Sequence, residues 1–85
     1  MEIQDDDVKA LMKLKHGEHY VVPQSDYGRA EIWLINNAFF VFEIPMFGGE
    51  PKFSNHFWYN YLSKDITEKK QKSAQEAMDL VNSWT

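Results

Sequence analysis

Residues 30–45 read AEIWLINNAFFVFEIP, and the reading of this stretch decides the fold. β-branched and aromatic residues run up to Asn36-Asn37 and resume after it, the composition of two strands around a two-residue turn. A type I′ turn needs φ > 0 at both central residues, which Asn tolerates better than most residues but less well than Gly. A hairpin closed on Asn36-Asn37 pairs Ile35 with Ala38, Leu34 with Phe39, Trp33 with Phe40, Ile32 with Val41 and Glu31 with Phe42. Side chains alternate along a strand. One face then carries Trp33, Ile35, Phe40, Phe42 and Ile44, and the other carries Ile32, Leu34, Phe39 and Val41. A hairpin with one wet face alternates apolar and polar residues. Here both faces are apolar, so both call for cover.

Upstream, residues 4–16 read as a helix. Asp5, Asp6 and Asp7 stand in its first turn, where carboxylates cap free N–H groups and oppose the macrodipole. Val8, Leu11, Met12 and Leu14 form its apolar stripe, and Gly17 fits a C′ position. Residues 18–22 form a short strand, with Pro23 marking its end or an edge position. Turn formers fill residues 24–28. Downstream of the hairpin, Gly48-Gly49 between Pro45 and Pro51 marks a loop.

Residues 53–62, FSNHFWYNYL, fit either a strand or a helix, and their aromatic density favours a strand. Read as a plain strand, they put Phe53, Asn55, Phe57, Tyr59 and Tyr61 on one side. Ser73 through Glu76 has the form of a capping box, hydroxyl first and carboxylate three residues later. Ala74, Ala77, Met78, Val81 and Trp84 then recur at helical spacing, so a helix is expected over 74–84, with an earlier start near Asp65 as the alternative.

The expected fold is α+β, in a single domain over 1–85: a small antiparallel meander of three to four strands with an N-terminal and a C-terminal helix. Two short helices cover one sheet face. The face of Ile32, Leu34, Phe39 and Val41 then needs a second cover, either by dividing the helices between faces or from a second copy in a homodimer. Trp33, mid-strand, is expected in the core.

Composition narrows function. Residues 1–50 hold nine acids against four bases, −5, while residues 51–85 hold four acids against five lysines, +1. Arg29 is the sole arginine. A net charge of −4 with one guanidinium argues against a nucleic-acid backbone as partner. With no cysteine there is no thiolate nucleophile, thiolate metal site or disulfide. No apolar run reaches the ~18–20 residues of a membrane span, and the acidic start MEIQDDDVK is no signal peptide. These features describe a soluble cytoplasmic protein.

Chemical motifs are sparse. His16 and His19 straddle the expected helix end, unlike the two histidines of HExxH on one helical face. No GxSxG elbow surrounds Ser25, and Gly48-Gly49 is not a phosphate-binding pattern. No catalytic residue, metal site or cofactor is assigned, and the chain is read as a non-enzyme.

The best constellation comes from topology. In a meander, the segments before Ala30 and after Pro45 leave the same end of the sheet. Asp26, Tyr27, Arg29, Phe47, Glu50 and Lys52 then gather there as a binding surface. The structural alternative pairs Arg29 with Glu50 or Glu43 and uses the aromatics to seal the core.

The reading that follows is an acidic interaction protein with a protein partner. One form is a stoichiometric inhibitor of a basic or nucleic-acid-binding target, as in phage anti-defence proteins. The alternative is a small-ligand binder that stacks a planar molecule on aromatics near Gly48-Gly49.

Overall fold

In a computed structural model of the chain, residues 5–24, 28–45 and 47–84 are described. The elements run α1 (Asp6–Met12), β1 (His19–Gln24), β2 (Gly28–Ile35), β3 (Ala38–Pro45), β4 (Lys52–Trp58) and α2 (Ile66–Asn82). The four strands form one antiparallel sheet in the order β1-β2-β3-β4, a meander between two helices. The fold is α+β.

The hairpin register is the one the sequence dictates, from Ile35 opposite Ala38 through Glu31 opposite Phe42 and on to Arg29 opposite Ile44. At the turn, Asn36 takes a left-handed φ of 54° and Asn37 does not. The turn therefore departs from the type I′ form, which needs both. Pro23 lies on β1, an edge strand, where a missing N–H costs no ladder bond.

Both helices pack on the same side of the sheet. Ala30, Ile32, Leu34, Phe39 and Val41 are buried there with Val8 and Leu11 of α1 and Ala74, Ala77, Met78 and Val81 of α2. The covered face is thus that of Ile32, the reverse of the expected assignment. Two features explain the choice. Ala30, Ala74 and Ala77 are small enough to be fully buried between helices and sheet, and the polar residues of the Ile32 face, Glu43, Lys52 and Asn55, lie at the sheet end or on the edge strand, where they stay exposed. Glu31 and Arg29 lie on the other face. Trp33 is only partly buried, so it is not a core residue.

The α1 helix is shorter than expected. Asp5 caps it, its Oδ1 accepting from the N–H groups of Asp7 (2.8 Å) and Val8 (3.4 Å). It ends at Met12 because the following segment must reach the sheet. There, Gly17 N–H donates to Leu34 O (2.7 Å) and Leu34 N–H donates to Glu18 O (3.0 Å). Gly17, at φ 87°, serves this crossing rather than the helix end. Lys70 of α2 donates from Nζ to the carbonyls of Met12 and Leu14, both at 3.3 Å, and so ties the two helices together.

The α2 helix starts at Ile66, taking the earlier alternative. Ser73 lies mid-helix and is buried, and its Oγ donates to Trp58 O at 3.0 Å. The capping-box reading of Ser73 and Glu76 is therefore corrected. A buried hydroxyl satisfying a strand-end carbonyl occupies the same spacing by coincidence.

Candidate functional site: the uncovered sheet face

Cross-strand partners share a face, so the registers place His19, Val21, Arg29, Glu31, Trp33, Ile35, Phe40 and Phe42 on the side away from the helices. The β4 strand adds to them through a bulge. Val41 pairs with Asn55 but Phe42 pairs with Phe53, so Ser54 is the extra residue. The plain alternation expected for this strand would put Phe53 opposite in facing to His56. The bulge brings Phe53, His56 and Trp58 together on the uncovered face.

The rings form a contiguous surface. Phe40 lies 5.5 Å from His56, nearly parallel, and 6.2 Å from Phe53. Phe42 meets Phe53 edge-on at 5.8 Å. At the other edge, His19 stacks on Trp33 at 4.4 Å. Such offset and edge contacts are favourable for aromatic pairs. Trp58 is 62% exposed and Phe53 50% exposed. Ala38 and Ile44 are buried, while Trp33, Ile35, Phe40 and Phe42 are half-buried. A shallow depression of about 500 Å³ is lined by Glu31, Trp33, Ile35, Phe40, Phe42 and Pro51.

Glu31 organises the polar part of this face. Its Oε1 accepts from Trp33 Nε1 at 3.2 Å, and its Oε2 accepts from Arg29 Nε at 3.1 Å. One carboxylate thus orients the indole and neutralises the guanidinium.

The residues expected to gather at the sheet end are placed as follows. Asp26 and Tyr27 lie outside the described residues. Arg29 pairs with Glu31, not with Glu50 or Glu43. Lys52 is opposite Glu43 at the same end of the sheet, on the helix-side face, whereas Arg29 is on the uncovered face. Phe47 is 95% exposed and Glu50 is exposed in the connecting loop. Gly49 sits close over Pro45; a Cβ there would stand 2.9 Å from the proline Cγ. The loop therefore folds back toward the sheet, which is how Pro51 reaches the depression. Sequence reasoning missed Phe53, His56 and Trp58 as partners of the hairpin aromatics, because nothing in FSNHFW announces the bulge.

Groups with displaced pKa values lie off this face. The hydrogen bond to the Asp7 carboxylate, helped by burial and by the charges of Asp7, Asp5 and Asp6, pushes the Tyr20 phenol up to about 12. Burial lowers the Lys70 ammonium and raises the Tyr59 phenol. The Ser63 hydroxyl, which donates to Asp65, lowers that carboxyl. His16 Nδ1 accepts from Asn36 N–H at 2.7 Å, a bond that steadies the hairpin turn. No cluster of three or more metal-ligating side chains occurs among the described residues, and no helix is long and apolar enough to cross a membrane.

Comparison with protein-family models, with curated proteins and with solved structures finds no match for this chain.

Proposed function

We propose that this chain is a non-enzymatic protein-binding domain of the cytoplasm, and that the uncovered sheet face is its contact surface. The observation that carries this is the facing of the helices. With α1 and α2 both on the Ile32 side, neither helix covers Trp33, Phe40, Phe42, Phe53 or Trp58. Aromatic residues are what binding surfaces use as anchors, and large exposed apolar patches mark interaction sites on soluble proteins. The absence of cysteine fits a reducing compartment. Inhibition of a basic target is the narrower form that the −4 charge favours, since acidic proteins steer toward basic ones.

A photo-crosslinking residue at position 42 tests the reading, with the same residue at position 79 on the exposed side of α2 as control. Protein adducts formed from position 42 and not from 79 are expected. Equal labelling from both positions, or none from 42, would refute the reading.

A small-ligand reading has one observation in its favour, the depression bounded by Trp33, Phe40, Phe42 and Pro51 beside the Gly48-Gly49 loop. Its mark is a small molecule retained in native mass spectrometry and lost in Trp33→Ala.

A further inference from the structure

We infer that the partner seated on this face is a second copy of the chain, packed sheet to sheet about a two-fold axis. The inference rests on the protein-binding reading above and names its partner. Charge is the first support. Among the described strand residues on the face, Arg29 and Glu31 are the only Lys, Arg, Asp or Glu side chains, and they neutralise each other at 3.1 Å. Two copies can meet without setting like charges together. A basic partner would find no unpaired carboxylate there, and a nucleic acid would find no unpaired cation.

Shape is the second support. Both helices lie on one side of the four-stranded sheet, so the molecule is one helix layer on one sheet with the other sheet face open. A bare sheet whose inner face is aromatic completes a core when a second sheet packs on it at about 10 Å. The pair would be a four-layer helix–sheet–sheet–helix particle. The acids of α2, Glu68, Glu76 and Asp79, then stay on the outside, free to meet a basic third partner.

The test is sedimentation equilibrium of the full chain at low-micromolar concentration, beside Phe53→Glu and Trp58→Glu. Both positions are at least half exposed, so the variants keep their fold, which far-ultraviolet circular dichroism checks. The wild type is expected at twice 10.0 kDa and both variants at 10.0 kDa, with a dissociation constant raised at least a hundredfold. A monomeric wild type overturns the inference, as does a dimer that both glutamates leave intact. Should a variant unfold, amide exchange in the wild type replaces it: protection across β4 that fades on dilution supports the dimer, and concentration-independent exchange overturns it. A monomer that still crosslinks a different protein from position 42 refutes the second copy alone. A monomer that crosslinks nothing refutes the protein-binding reading as well.

Discussion

The Trp33 indole lies against the His19 imidazole across the β1–β2 ladder, 4.4 Å between ring centroids and 18° between planes. With its Nε1 donating to Glu31 at 3.2 Å, the ring is fixed from two sides while one surface stays open. The largest side chain of the hairpin is therefore ordered for contact and not consumed by the core.

Trp33→Ala is accordingly expected to cost only about 1–2 kcal/mol, well below the ~3–5 kcal/mol of a buried Trp→Ala cavity. Leu34→Ala, one residue away on the buried face, should cost more, about 2–4 kcal/mol. Urea denaturation of the two variants gives the comparison.

Tyr20 anchors α1 to the sheet through its hydroxyl, which donates to Asp7 Oδ1 at 2.6 Å. Folding holds the phenol protonated, raising its pKa from 10.0 to about 12. The stabilisation is therefore complete below pH 10 and is lost as pH climbs toward 12. After allowance for solvent screening, Tyr20→Phe should cost on the order of 1 kcal/mol at pH 7–9. The gap between wild type and variant should close by about pH 12. Denaturation at a series of pH values reads it directly.

Ser73→Ala should cost about 1–2 kcal/mol, because it strips the Trp58 carbonyl of a buried donor. Glu76→Gln should change stability by less than about 0.5 kcal/mol, since Glu76 is exposed mid-helix and caps nothing. Equal losses from both, measured by thermal unfolding, would restore the capping-box reading.

Asn36→Gly should be neutral or stabilise by up to about 1 kcal/mol, because φ is 54° there and glycine adopts it without strain. Asn36→Val, which cannot adopt that angle cheaply, should cost about 1–2 kcal/mol. Thermal midpoints of the two variants should therefore bracket the wild type.

Much of the fold was legible because the hairpin carries its own register. Two asparagines between apolar runs fix every cross-strand pair from Glu31 to Phe42. Which face the helices take was not legible, since both faces are apolar and only the small residues Ala30, Ala74 and Ala77 hint at the buried one. The end of α1 was misplaced because Gly17 has two uses, ending a helix or turning a chain into a sheet edge, and the backbone bonds to Leu34 decide it. The β4 bulge leaves no mark in sequence, as Ser54 is neither glycine nor proline. It alone puts Phe53 beside Phe40.

The most direct measurement sets two neighbours on β3 against each other. Phe39 is fully buried under the helices, and Phe40 is half-buried on the uncovered face. Phe39→Glu and Phe40→Glu are compared by thermal unfolding with circular dichroism. Phe39→Glu should abolish cooperative unfolding, because a carboxylate there is buried without a partner. Phe40→Glu should keep a native spectrum and a cooperative transition, because its carboxylate reaches water. Loss of structure in both variants would mean that Phe40 belongs to a closed core, and the uncovered face would not exist.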